Sequence, residues 1–385
     1  MTPASDRVPL PQVRDLLQIG HALPFRVLDS QERLLLNEGQ MLHDEAQFDA
    51  LLERGAWAER PRVEAERAAR AGAARAAPSV AQLTLFDRWE RLLWQFDKLS
   101  RALLRREERG SAVLPLFSLL QTLVNADPDV ALFLCIRQED RRFALYPLKH
   151  SIHCAVLVIL TGRQLGWPQA QCVSVGQAAL TMNLSMFELQ ASMAEQDDPP
   201  TRKQLEQIRK HPDATMALLR AVGIDDEDWL AVVAEHHEQA DGGGYPHGLN
   251  AVSSGAQVLR AADVYMAKIS PRAKRPPMAP QMAIRQLFQQ HPGDPLAMAM
   301  IKTVGMHPPG SLVQLKSGEI GVSIRRPATG THPLVATLSD RNGRPNGETH
   351  RRDTAQPEFA VVGPLQDATA FPRVVPERVY GLIAG

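Results

Sequence analysis

The chain has 385 residues, with 43 Lys+Arg balancing 43 Asp+Glu, so its formal net charge is zero. That balance excludes a protein whose main task is to coat nucleic acid or an anionic membrane, because both tasks need a large basic excess. Hydrophobic residues make up 44% of the chain and aromatic residues only 5%, which excludes global disorder and predicts a sizeable, mostly aliphatic core. The length suits two or three domains.

The cysteines, Cys135, Cys154 and Cys172, form no CxxC pair, and each lies in an apolar stretch. They read as buried packing residues in a reducing cytoplasm. The N-terminus lacks the basic-then-apolar order of a signal peptide. The longest apolar run, Cys154 to Leu160, falls far short of the ~20 residues of a membrane helix. A soluble, cytoplasmic protein with no membrane span is expected.

Taken in chain order, FRVLDSQERLLLNEGQML reads as two short strands around a polar turn, and DEAQFDALLERG as a helix, with Gly39 and Gly55 as punctuation. The Ala/Arg/Glu-rich stretch from Glu59 to Pro78 has no wide apolar stripe and reads as a solvated helix or a linker. From Val80 to about Met306 apolar residues recur at helical spacing almost throughout. Pro271, Pro276, Pro277 and Pro280 break that pattern once, before a helix near Gln281. After His307, SLVQLKSGEIGVSIRR reads as a hairpin turning at Lys316-Ser317-Gly318, and the Pro-rich tail ends in a possible strand, RVYGLI. The expected fold is mainly α. It comprises a small N-terminal α/β accessory domain (1–60), a linker (61–80), a helical connector (81–125), a helical domain (126–306) and a β-rich extension (307–385).

The segment that carries chemistry is EHHEQADGGGYPHGL, residues 235–249. His236 and His237 close a helix, Glu238 and Asp241 follow, and a glycine-rich turn leads to Tyr245-Pro246. Neutral imidazoles are borderline ligands for Fe, Mn, Ni or Zn. Adjacent helical residues point about 100° apart, but at a helix end both rings can reach one ion. Glycines 242 to 244 permit backbone conformations and close approaches closed to other residues.

HHE followed by DGGGYP resembles the signature of HD-GYP domains, a branch of the HD metal-dependent phosphohydrolases. LKHSIHCAVLVILTGRQLGW, IRKHPDATMALLRAVG and QVLRAADVYMAKISPR resemble further helices of that family. The resemblance implies an all-α domain over roughly residues 140–306, a two- or three-metal site, and hydrolysis of cyclic di-GMP. Carried over position by position, it implies metal ligands at His150, His211, His236, His237 and Asp263. It implies ligand contacts at Gly243, Tyr245, Pro246, Arg272 and Arg275. Tyr146 stands one helical turn before His150, where metal-rich members carry a Glu.

One segment departs from the family. AALTMNLSM stands where "GLLHDIGK" is expected, so Met182 and Asn183 replace the His-Asp dyad, and Ser185 and Met186 replace a glycine and a lysine. A neutral Asn is a poor bridge between two dications, a thioether is soft, and the lost lysine removes a charge that would stabilise a phosphorane oxygen. No catalytic residue is assigned, and a binuclear centre is not expected. The metal expectation is one divalent ion (Fe, Mn, Ni or Zn) on His211, His236 and His237, with Asp263 or His150, or no metal at all. Simpler roles stand beside this: His211 as a helix cap, His236 and His237 as charges at a helix C-terminus, Tyr245 as turn packing. Asp263, inside the apolar VLRAADVYMA, needs a metal or a cation either way.

Residues 260–275 hold five basic residues (Arg260, Lys268, Arg272, Lys274, Arg275) and one acid, so they read as an anion site or as a solvated loop. The leading expectation is a degenerate HD-GYP signalling protein that binds cyclic di-GMP or a related nucleotide, or a GGDEF-type or other signalling protein, with little or no hydrolysis. The alternatives are an active cyclic di-GMP phosphodiesterase with an atypical metal site, and a protein-interaction scaffold. No DNA partner is expected.

Overall fold

The computed structural model describes residues 6–19, 21–32, 34–39, 42, 45–75, 84–138, 143–273, 275–327, 331–345, 348–365 and 374–382. The chain divides into two compact units, Met1–Leu83 and Thr84–Gly385.

In the first unit, strands β1 (Arg7–Pro9), β2 (Val27–Leu28), β3 (Leu34–Leu36) and β4 (Trp57–Glu59) form an antiparallel sheet in the order β1-β4-β2-β3. The strands expected around the polar turn pair as β2 with β3. Helix α1 (Glu45–Glu53) and a 3₁₀ segment, Leu10–Leu16, complete a core that contains Leu10, Val13, Phe25, Val27 and Phe48. Of the two readings of the Ala/Arg/Glu-rich stretch, helix or linker, the helix is observed: Arg60–Arg75 form α2, tied to this unit. Val63 is buried, and Arg67 and Arg70 donate to the backbone carbonyls of Gln12, Asp15 and Leu16. These arginines satisfy carbonyls that the short 3₁₀ segment leaves open, which a hydropathy pattern does not register.

The second unit is mainly helical. Helices α3 (Leu85–Leu104), α4 (Val113–Ala126) and α5 (Pro128–Ile136) supply Phe86, Phe96, Phe117, Leu120 and Leu132 to the same core as the helices that follow. Residues 84–125 are therefore part of the helical body and do not form a separate connector. Thr84 and Asp87 form a reciprocal capping box at the start of α3, and Asp127 caps α5 through the amides of Asp129 and Val130. Helix α6 (Tyr146–Gln164) is buried on nearly every face from Tyr146 to Gly162 and packs on α7 (Gln169–Thr181), α11 (Ser254–Ile269) and α13 (Pro295–Val304). It is long and apolar enough to pass as a membrane span by composition, yet 78% of that apolar stretch is buried inside the unit. A Cβ on Gly176 of α7 would strike the ring of Phe117, so this glycine sets how closely α4 and α7 approach. Helices α8 (Phe187–Glu195), α9 (Arg202–Ala221), α10 (Glu227–Glu235) and α12 (Pro280–Gln290) complete the bundle.

Within the same unit, β5 (Leu312–Leu315), β6 (Ile320–Arg325), β7 (Leu334–Thr337), β8 (Arg351–Asp353) and β9 (Val361–Pro364) form an antiparallel sheet ordered β8-β7-β6-β5-β9. The expected hairpin is β5–β6. Arg325 and Arg326 leave β6 to bind Asp127 and Asp129 at the start of α5. The segment RVYGLI does not form a strand. Pro376 opens a short helix, α14 (Pro376–Val379), and the amides of Tyr380 and Leu382 return to the carbonyls of Pro376 and Glu377.

Candidate functional site

Helix α6 carries Tyr146, His150 and Cys154 on successive turns, α9 carries His211, α11 carries Asp263, and His236 and His237 follow the last turn of α10. Local chemistry orients the histidines. Pro212 has no N–H to give to the carbonyl of Ile208 one turn back, and His211 Nδ1 takes that carbonyl at 2.6 Å. The carbonyl of Val233 lies in the last turn of α10, and His236 Nδ1 takes it at 2.7 Å.

With both Nδ1 atoms donating, both Nε2 atoms present lone pairs, and these face each other at 3.1 Å. His237 closes the group, its ring centroid 4.1 Å from that of His236 and 5.1 Å from that of His211. Burial holds all three imidazoles neutral: it pushes His211 down to about 3, with His236 adding to the effect, and lowers His236 and His237 as well. Neutral imidazoles that donate Nδ1–H to carbonyls and turn Nε2 toward a common point are arranged as metal-ligating histidines are.

A second group of donors adjoins the first. Asp263 Oδ1 lies 2.6 Å from His150 Nε2, and its other oxygen lies 4.0 Å from His237 Nδ1. Burial alone would raise the Asp263 carboxyl, but the hydrogen bond to His150 and the surrounding imidazoles hold it well below the usual carboxylate range. Cys154 Sγ sits 3.6 Å from His150 Nε2. Among the described residues, His211, His236 and His237 form one cluster of ligand-type atoms, and His150, Cys154 and Asp263 form another. Cys154 is buried, as its apolar context implies, but its i, i+4 spacing from His150 also brings it to this cluster. That spacing is the signal that marks it.

A cavity of about 290 Å³ opens beside these residues. His150, His237, Asp263, Tyr245, Tyr146 and Arg272 line it. The Tyr146 ring stacks on His150 at 5.4 Å, and the guanidinium of Arg272 lies 5.3 Å from the Tyr146 ring centre while donating to its hydroxyl at 3.3 Å. Tyr245 stacks on His237 at 4.6 Å. Of the positions expected to depart from the family, Asn183 and Met186 line the cavity, and Asn183 Oδ1 is buried with no hydrogen-bond partner among the described residues. Met182 is buried in the apolar core. Ser185 bonds the carbonyl of His211 and the hydroxyl of Thr215.

Three expected ligand contacts do not reach the cavity wall: Gly243, Pro246 and Arg275 are not among its lining residues. The guanidinium of Arg275 donates to the carbonyl of Ala267, which turns it back onto α11. Lys274 lies outside the described residues. Gln190 and Met193 of α8, Pro200 and Ile208 also line the cavity. Ile208 opens the IRKHPDATMALLRAVG string, whereas Gln190, Met193 and Pro200 belong to no motif and only the fold brings them there.

The loop after α10 is built on two acids. Buried Glu238 accepts the amides of His247 (2.6 Å), Gly248 (3.2 Å) and Leu249 (3.0 Å), and Asp241 accepts that of Gly243 at 2.8 Å. Gly244 is the glycine that close approach requires, because a Cβ there would collide with the backbone of Glu238 and Gln239. The carboxylate in HHE thus fastens the loop that holds Tyr245 against His237.

The HD domain family model matches residues 137–293. A cyclic di-GMP phosphodiesterase of Pseudomonas aeruginosa is 29% identical over 189 residues, which is 47% of this chain and 45% of that protein. Residues 137–293 form an HD domain of the HD-GYP family. The cyclic di-GMP phosphodiesterase PdeB of Borreliella burgdorferi is 26% identical to the chain over 132 residues, covering 34% of this chain and 35% of PdeB. The chain thus spans less than half the length of either relative. A solved HDG"Y"P protein from Bdellovibrio bacteriovorus overlays at TM-score 0.45 and 15% identity, over 77% of this chain and 97% of that one.

Proposed function

We propose that the HD-GYP domain binds cyclic di-GMP, or a nucleotide close to it, in the cavity between Tyr146, Tyr245 and Arg272, and hydrolyses it slowly or not at all. The ligand class follows from the two phosphodiesterases to which the domain is similar. The guanidinium of Arg272, held on the Tyr146 ring at the cavity wall, is the group suited to a phosphate. The facing lone pairs of His211 and His236, with His237 beside them, fit one divalent ion of the Fe, Mn, Ni or Zn type. Bound there, such an ion supplies Lewis acidity and a water of lowered pKa.

One observation carries the low-turnover reading. Where the family resemblance implies a bridging acid, the cavity wall presents the neutral carbonyl of Asn183, unpartnered among the described residues, and the implied lysine position is Met186. Calorimetry and product chromatography on the metal-loaded full chain test it. Cyclic di-GMP should bind, Arg272→Ala should weaken binding at least about tenfold, as one lost charge-assisted bidentate contact does, and pGpG or GMP should not accumulate. Steady turnover that disappears in His237→Ala would establish a phosphodiesterase. The absence of binding would leave the interaction-scaffold reading. A second reading, an active enzyme with an atypical metal site, draws on Asp263, whose two oxygens face the two donor clusters and offer a carboxylate bridge that Asn183 does not.

A further inference from the structure

We propose that a second cavity, walled by α3, the end of α5, α6 and the start of α14, binds a small zwitterion with an apolar body, of the class of the aromatic and branched-chain amino acids. It holds about 500 Å³, against about 290 Å³ beside the histidines, and falls in the size range of small-molecule sites. The two cavities share no lining residue and use neighbouring stripes of α6. Tyr146 and His150 line the first, and Lys149, Ile152 and His153 line the second. The second site stands whether or not the first binds a nucleotide.

The apolar part of the lining comes from Phe86, Trp89 and Leu93 of α3, Leu134 of α5 and Ile152 of α6, and Phe86 packs on the ring of Tyr380 at 5.7 Å. Charges of the two signs come from different elements. Arg137 and Lys149 bring positive charge from the end of α5 and from α6, whereas Asp87 and Glu90 of α3 and Glu377 of α14 bring negative charge. Asp87 serves the cap of α3 and Glu90 accepts Trp94 Nε1 at 3.0 Å, while the carboxylate of Glu377 forms no ion pair among the described residues.

Two buried polar groups point to a ligand here. Trp89 and His153 are both more than nine-tenths buried and both line the cavity, yet Trp89 Nε1 and His153 Nδ1 have no hydrogen-bond partner among the described residues. An indole N–H can only donate, and a buried donor without an acceptor has lost its hydration uncompensated. A ligand carboxylate is an acceptor for Trp89 Nε1 and a counter-ion for Arg137 and Lys149. A ligand ammonium is a donor for Glu90 and Glu377, and His153 Nδ1 accepts in one of its tautomers. A zwitterion carries both groups and leaves the balance of charge around the cavity unchanged. Its apolar side chain covers Phe86, Leu93 and Leu134.

Calorimetry of the full chain with L-phenylalanine and L-leucine tests the site, with phenethylamine and 3-phenylpropionate as probes that keep the ring and lack one charge each. One equivalent of amino acid should bind, and both single-charge probes should bind at least about tenfold more weakly, as loss of a charge-assisted contact implies. Glu377→Gln should weaken phenylalanine and leave 3-phenylpropionate unchanged, a split that a general loss of packing would not produce. Val375→Trp, at an exposed position of the lining, should block binding without disturbing the core. Arg272→Ala, in the first cavity, should leave phenylalanine binding intact. No binding of either amino acid overturns the proposal. A single-charge probe that binds as tightly as phenylalanine overturns the zwitterion class. Binding that survives Val375→Trp, or that Arg272→Ala removes, puts the ligand elsewhere and overturns the site.

Discussion

At the residue scale the pairing of His211 with His236 has a measurable cost. Two imidazole lone pairs held 3.1 Å apart repel, and a cation between them relieves the strain. Thermal unfolding should therefore shift upward when manganese or zinc is added, by about 2.7 kcal/mol when the free ion is at roughly a hundred times its Kd. His236→Ala should abolish that shift, and a variant that retains it would place the ion elsewhere. Stability should also depend on pH. Burial pushes His211 and His153 down to about 3 from an ordinary value of 6.5. Between those values the unfolded chain binds protons that the folded chain refuses, so the stability is fully present above pH 6.5 and is lost as the pH falls toward 3. Metal-free protein should melt progressively lower through this window. His211→Gln should flatten the decline, and an unchanged slope in that variant would exclude its imidazole as a source. Asn183→Asp places a carboxylate in the same buried cavity as Asp263. It should lower the melting temperature of metal-free protein by like-charge repulsion and increase ion uptake, as read by metal analysis. Among these residues the histidines and Asp263 are legible in the sequence because family order fixes them. Cys154 is legible only through its i, i+4 spacing from His150, because its apolar context alone reads as packing.

At the scale of elements, the loop after α10 is held by its acids more than by its glycines. Glu238 is buried and accepts three backbone amides, so Glu238→Ala should leave those donors unpaired and destabilise the fold by roughly 3 kcal/mol, measured by denaturant unfolding. A loss under about 0.5 kcal/mol would show that the loop re-forms its bonds without the carboxylate. The string HHEQADGGGYP announces this loop clearly. What it does not announce is that Gly244 is needed for contact with Glu238, while Gly243 and Pro246 stay off the cavity wall. That distinction depends on which carbonyls and amides meet in space. Elsewhere, Pro376 turns an apparent strand into a helix, because a proline at the first helical position outweighs the β propensity of Val379 and Tyr380.

At the scale of the whole molecule the described residues form one apolar cluster in the first unit and three in the second, two of them on the C-terminal sheet. The first unit's cluster is built from Leu10, Val13 and Phe25, and the largest of the second unit from α3 through α13. A chain trimmed to Thr84–Gly385 should fold alone and keep the metal-ion and nucleotide binding of the full chain, checked by circular dichroism and calorimetry. Insoluble or non-cooperative protein would show that the second unit depends on the first. The mainly helical body is legible from periodicity. The limits of its parts are not, because α2 buries one valine and is otherwise fastened through arginine-to-carbonyl bonds that leave no hydropathic trace.

Arg272 rests on Tyr146, Tyr146 on His150, and His150 is bonded to Asp263, which faces His237 and, through it, Tyr245. On the proposed reading, a nucleotide held at the outer members of this row and an ion held at its middle are thermodynamically linked. An ion that fixes His150 and Asp263 also fixes the tyrosine under the phosphate-seeking guanidinium. By reciprocity, whatever factor the ion contributes to nucleotide affinity, the nucleotide returns to ion affinity. On the proposed reading, with both bound and no turnover, such a row would make the domain a coincidence detector, filled when a metal and a nucleotide are present together.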